Sequence, residues 1–190
     1  MRPPLLHRTV TEYDAIVYDL DGTLVDLDVD WNAVAADVKA LYADSNVEPP
    51  SDDLWAMLEW AANAGLADAV EEAIAAHERA GAPTSPRLAH ADELANGMAT
   101  TPVGVCSLNC EAACRRALES HGLVSAVDVI VGRDTVETQK PDPEPLLVAV
   151  DELGVEPSDA VFVGDSARDE QTARRAGVEF EYVGDGPSGV

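Results

Sequence analysis

The sequence is short of positive charge. Lys and Arg together number 12 against 36 Asp and Glu, for a formal net charge of −24, and the only lysines are Lys39 and Lys140. A phosphate backbone is bound by basic stripes, and none is present, which argues against nucleic acid and against an anionic membrane surface as partners. Aromatic residues are also few, at 5%, which disfavours an aromatic-rich β-sandwich. Long apolar runs are missing. Nothing approaches the ~20 residues that a membrane span requires, and Met1-Arg2-Pro3-Pro4-Leu5-Leu6-His7-Arg8 lacks a signal-peptide apolar region, so a cytoplasmic location is expected. Cysteine is limited to Cys106, Cys110 and Cys114. Their odd number does not suit a disulfide framework and their spacing matches no common zinc or iron–sulfur pattern, so they are read as small buried hydrophobes. His7, His77, His90 and His121 are isolated in the sequence.

Acidic residues are abundant and scattered along the whole chain instead of forming one tail. Such a surface repels itself, and a Debye length of about 3 Å at 1 M salt would remove most of that repulsion. The surplus is therefore read as an adaptation of an acidic, halophilic kind. The expected outcome is a melting temperature that rises from dilute buffer to molar KCl; equal stability in both would contradict it.

At 190 residues with 46% hydrophobic content, the chain can bury one core of ordinary size and carry a modest insertion. Short apolar runs bounded by Asp, Ser or Gly read as buried strands at Ala15–Tyr18, Pro102–Cys106, Val127–Val131, Ala160–Val163 and Phe180–Val183. Helical patterns lie between the later strands, over Glu111–Ser120, Glu144–Leu153 and Asp169–Ala176, each ending near a Gly that suits a helix C-cap. The alternation predicts an α/β fold with a Rossmann-like, mostly parallel five-stranded sheet. The stretch from about Asp30 to Ala80 breaks the rhythm with helical patterns over Trp31–Tyr42, Asp53–Ala64 and Leu66–Ala80 and no strand between them. It reads as an inserted helical unit in which Trp31, Trp55 and Trp60 form a small core. Ser85–Met98 reads as a helix returning to the sheet.

The strongest chemical signal is Tyr18-Asp19-Leu20-Asp21-Gly22-Thr23-Leu24-Val25, with two carboxylates just beyond a hydrophobic strand, where α/β sheets bind ligands. Two carboxylates about 4 Å apart repel by ~4 kcal/mol at an effective dielectric of 20, so such a pair calls for a cation or a proton. Gly22 would let the chain turn away and free both side chains to face one pocket.

Asp19-Leu20-Asp21-Gly22-Thr23-Leu24 resembles the first motif of the haloacid dehalogenase superfamily, in its phosphoglycolate phosphatase-like branch with a C1 cap. Similar motifs follow in the family's order: Ser107 within Gly104–Asn109, Lys140 within Gln139–Pro143, and Gly164–Asp169 followed by Ala173, Ala176 and Gly177. The resemblance implies residues 1–25 and 83–190 as the Rossmann-like core and 26–82 as a helical cap. It implies a Mg²⁺-dependent phosphatase acting on a small-molecule phosphate ester, as a monomer or homodimer. By it, Asp19 is the nucleophile, Asp21 the general acid and base, and Lys140 the cation that neutralises Asp19 and the phosphoryl group. Ser107 and Leu108 would bind phosphate, with Asn109 beside them although Leu108 separates it from the Ser. Asp19, the carbonyl of Asp21, Asp165 and Asp169 form the implied metal site. Arg133, after the third predicted strand, stands as a possible substrate contact. A phosphomutase of the β-phosphoglucomutase type and a non-catalytic binding module are the alternatives.

Overall fold

The computed structural model describes residues 12–96 and 101–184. Five parallel strands form one sheet in the order β3-β2-β1-β4-β5. They are β1 (Ala15–Tyr18), β2 (Val103–Cys106), β3 (Val129–Val131), β4 (Ala160–Gly164) and β5 (Glu179–Tyr182). Strand periodicity assigns side chains to two buried faces. Ile16, Tyr18, Val103, Val105, Val161 and Val163 join Ala113, Cys114, Ala117 and Leu118 of helix α5 (Glu111–Ser120). On the other face Ala15, Val17, Val129, Val131 and Phe162 pack on Leu146, Ala149 and Val150 of α6 (Glu144–Glu152) and on Ala173 and Ala176 of α7 (Ala167–Ala176). The three cysteines are free and buried. β5 leaves Glu179 and Glu181 exposed at the sheet edge, where charge discourages pairing with another strand. No helix among the described residues is long and apolar enough to cross a membrane.

Between β1 and β2 the chain builds α1 (Trp31–Asp44), α2 (Leu54–Trp60) and α3 (Ala67–Gly81). Asp30 caps α1 by accepting from the amides of Asn32 and Ala33, and Asp53 caps α2 by accepting from Ala56. These helices share a core of Val34, Val38, Tyr42, Leu54, Met57, Ala61, Val70 and Ile74, and the Tyr42 hydroxyl ties α1 to α2 by donating to the Met57 carbonyl at 2.6 Å. The tryptophans expected to form that core do not: Trp31 packs only partly buried against it, Trp60 is 48% exposed, and Trp55 faces a cavity. The insert leaves and rejoins the sheet through one stem, where Ser85 Oγ accepts from the Asp28 amide and donates to the Gly81 carbonyl.

The helix expected over Ser85–Met98 is shorter, α4 spanning Ala89–Ala95; Met98 lies outside the described residues. Pro86 keeps Ser85 extended, at φ −60° and ψ 126°, because the residue before a proline is driven from the α region. Arg87 instead bridges to Val25.

Candidate active site

Strand order reverses on either side of β1, and the carboxyl ends of β1, β2 and β4 open there into one crevice, the position where α/β sheets hold ligands. The Asp19 amide extends the ladder by donating to the Val163 carbonyl at 2.9 Å, and the chain then closes a tight turn in which the Leu20 carbonyl accepts from Thr23, Leu24 and Val25. Buried Leu20, Leu24 and Val25 anchor this turn. Gly22 has φ +81°, and a Cβ there would lie 2.3 Å from Asp165 Oδ2. Glycine is thus required twice, for the backbone conformation and for the approach of the Asp165 carboxylate. The Asp21 carboxylate accepts from the Leu27 amide at 2.7 Å.

Asp165 follows β4 directly, and Asp169 lies in the first turn of α7, where it forms a capping box with Ser166. Carboxylate oxygens of Asp19, Asp165 and Asp169 all lie within 4.8 Å of one another. Lys140 reaches them from the loop before α6, its Nζ donating to Asp19 Oδ1 at 2.9 Å and to Asp169 Oδ1 at 2.5 Å. Both oxygens of Asp169 are engaged, since Oδ2 accepts from Ser166. Asp169 therefore orients Lys140 and starts α7 at once.

Burial dominates the electrostatics. It raises the Asp19 carboxyl to about 7 even though Lys140 pulls the other way, and Asp169 adds to the rise. Burial likewise lifts Asp21 to about 6, outweighing the hydrogen bond from Leu27, with Asp26, Asp165 and Glu78 contributing. Asp165 is raised by burial and then by Asp169. Burial disfavours the Lys140 ammonium, but Asp169 and Asp19 more than offset it and hold its pKa above the ordinary lysine value. One ammonium thus faces three converging carboxylates. The donors are all hard oxygens and carry surplus negative charge, which suits a divalent cation such as Mg²⁺ and not a soft metal.

A cavity of about 590 Å³ opens over this cluster, lined by Asp19, Asp21, Trp31, Asp53, Trp55, Leu108, Asp165, Ser166 and Arg168. Ser107, Asn109, Lys140 and Asp169 are buried and are not part of that lining. The Ser107 amide donates to the Val131 carbonyl, and its hydroxyl donates to Asn109 Oδ1 at 2.9 Å while accepting from the Asn109 amide. The Asn109 side chain points elsewhere than a phosphate site would require: Nδ2 donates to Glu78 Oε1 at 3.2 Å. The intervening Leu108, and not Asn109, lines the cavity.

Arg133 is engaged away from the cavity. Its Nε–H donates to Glu71, its Nη1 to Glu78 and the Leu108 carbonyl, and its Nη2 to Glu71 and Glu78. All five N–H donors are spent on α3 and the Leu108 loop, so none is left for a substrate. Those partners hold the Arg133 pKa above its ordinary value despite burial. Glu78, fully buried, also accepts from the Cys110 amide at 3.0 Å. Sequence reading missed Glu78 altogether, because an acidic residue on a helix in an acidic chain carries no local mark. Arg168 went unassigned although it sits inside the Gly164–Asp169 motif, and that position was the available signal.

A sequence model of the family described as haloacid dehalogenase-like hydrolase matches residues 16–183. The phosphoglycolate phosphatase of Rhodospirillum rubrum is 46% identical over 76 residues, which is 40% of this chain and 32% of that protein. The N-acetylmuramic acid 6-phosphate phosphatase of Pseudomonas aeruginosa is 41% identical over 66 residues, 35% of this chain and 29% of that protein. Neither match spans more than 32% of the relative's length. A HAD-superfamily hydrolase of subfamily IA, variant 1, from Geobacter sulfurreducens superposes with a TM-score of 0.61 at 25% identity, covering 88% of each chain. CbbY from Rhodobacter sphaeroides in complex with phosphate shares the fold, with a TM-score of 0.65 at 23% identity over 93% of this chain and 87% of that one. The family match runs from the first strand through the last and takes in every motif at the crevice, and the chain belongs to the haloacid dehalogenase-like hydrolases.

Proposed function

We propose that the chain is a Mg²⁺-dependent phosphatase that hydrolyses a small phosphate monoester through a phosphoaspartate on Asp19. The observation that carries this reading is Lys140 bridging Asp19 and Asp169 beneath an open cavity lined by Asp21 and Asp165. A carboxylate nucleophile beside a fixed ammonium is what in-line attack on phosphorus needs.

Asp19 attacks phosphorus, and the bond from phosphorus to the ester oxygen breaks. Burial raises the Asp21 carboxyl to about 6, so a minor fraction is protonated near neutral pH, and that form gives its proton to the departing alcohol. It then takes a proton from water as that water attacks the phosphoaspartate, breaking the bond to Asp19 and releasing inorganic phosphate. Lys140 offsets negative charge on Asp19 and on the phosphoryl oxygens. The Ser107 hydroxyl and Leu108 amide hold those oxygens once Ser107 turns from Asn109. Asp19, the Asp21 carbonyl and Asp165 would hold the metal, with Asp169 fixing Lys140 beside it; when bound, the metal supplies positive charge that stabilises the phosphoryl group. The α1–α3 insert acts as the cap that narrows access of water to the site.

The purified chain should hydrolyse p-nitrophenyl phosphate with Mg²⁺, lose activity in EDTA and regain it on adding Mg²⁺. A rate indifferent to EDTA, or no hydrolysis of any small ester with Mg²⁺ present, would overturn the reading.

A further inference from the structure

The cation among the residues lining the cavity has no part in the chemistry above. Arg168, in the first turn of α7, lines it together with Asp19, Asp21, Asp53 and Asp165. With 36 acidic residues to 12 basic ones in the chain, an arginine among carboxylates would ordinarily be paired. Among the described residues, the salt bridges engage other groups and none engages Arg168. Its Cζ instead sits over the ring of Trp55 on α2, 5.7 Å from the centroid. Trp55 in turn packs against Trp31 of α1 at 6.0 Å. Contact through a ring face uses the cation's charge and consumes no N–H donor. The guanidinium is thus braced on the insert's side of the cavity with its hydrogen-bonding fork uncommitted, a shape that matches a carboxylate or phosphate in two parallel bonds.

We propose that Arg168, braced on Trp55, is a subsite for an anionic group, a carboxylate or second phosphate, on the alcohol half of the substrate. The inference rests on the phosphatase reading for which half of the substrate lies where. The phosphoryl group belongs against Asp19 and Lys140 at the strand ends, so a cation braced against the insert meets the rest of the molecule. The otherwise acidic lining repels a second anion unless a cation faces it, so Arg168 separates substrates that carry one from those that do not.

The test measures binding without turnover. 3-Phosphonopropionate, propane-1,3-bisphosphonate and propylphosphonate are titrated into the Mg²⁺-loaded protein, and tryptophan fluorescence reports Kd. At least one of the two ligands with a second anionic end should bind about tenfold or more tightly than propylphosphonate, the factor carried by a charge-assisted hydrogen bond; which one does so identifies carboxylate or phosphate. R168A and R168Q should erase that preference and leave propylphosphonate affinity within about twofold, while R168K keeps part of it by retaining charge without the fork. No preference in the unaltered protein, a preference that survives R168A, or an equal loss for all three ligands would each overturn the proposal. Hydrolysis of p-nitrophenyl phosphate is scored separately. A protein that binds 3-phosphonopropionate through Arg168 but hydrolyses nothing keeps the subsite and loses the phosphatase reading.

Discussion

Replacing Asp19 by Asn is expected to lower kcat by a factor of roughly 10⁴ to 10⁶ while leaving the fold as stable as before, or more so. An amide oxygen cannot form the phosphoaspartate, and no other carboxylate in the cluster is free to take over. Asp169 is spent on Lys140 and Ser166, and Asp165, in the reading above, is spent on the metal. The gain in stability follows from the buried carboxyl, raised to about 7 by desolvation ahead of the opposing pull of Lys140. A group whose folded pKa exceeds its unfolded value opposes folding once pH rises above the unfolded pKa, and does so fully above the folded one. In metal-free buffer at pH 8 the D19N protein should therefore melt no lower than its parent, and near pH 3, where both forms are neutral at this position, the two should coincide. Asp21→Asn should be milder, a loss of roughly 10² to 10⁴ in kcat, because it removes proton transfer and leaves the nucleophile in place. Turnover by D19N at the parent rate would end the assignment of Asp19, whatever its stability.

The elements legible in the sequence were those whose pattern is local. Ala15–Tyr18 could be read as β1 because four consecutive apolar residues, buried on both faces, end at Asp, and the same holds for β4. Asp19, Lys140 and Asp169 could be named as one group although 121 and 29 residues separate the pairs Lys140–Asp19 and Lys140–Asp169, because each sits in a motif of fixed spacing. What could not be read depends on how the insert docks on the sheet. Nothing near Arg133 announces that its partners are Glu71 and Glu78, 62 and 55 residues away, and a loop arginine near a phosphate site invites the opposite reading. The tryptophans misled for the same reason. A Trp at a helix start can fill a core or border a cavity, and the choice is made by Val34, Val38, Tyr42 and Met57 filling the insert's centre first. Pro86 was a legible signal, since it forbids the helical start expected at Ser85.

Arg133→Met is expected to cost about 3 to 5 kcal/mol of stability by urea denaturation, the largest effect of any substitution outside the catalytic cluster. The reason is the residue left behind. Glu78 is fully buried and keeps hydrogen bonds only from Asn109 Nδ2 and the Cys110 amide, which cannot neutralise a carboxylate in a low-dielectric setting. The sharper expectation is one of sign. Adding Glu78→Gln to Arg133→Met should restore stability, because the amide oxygen still accepts from the Asn109–Cys110 loop and no charge is stranded. Glu78→Gln alone should cost less than Arg133→Met, since Arg133 retains Glu71, which is partly exposed. The same variants bear on catalysis, because Glu78 on the insert and Arg133 on the core together grip Leu108, Asn109 and Cys110. Loosening them should lower kcat even where the protein remains folded, as the Ser107–Leu108 segment loses its fixed place beside Asp19. Single variants within about 1 kcal/mol of the parent, or a double variant less stable than Arg133→Met, would show that the buried pair does not join insert to core.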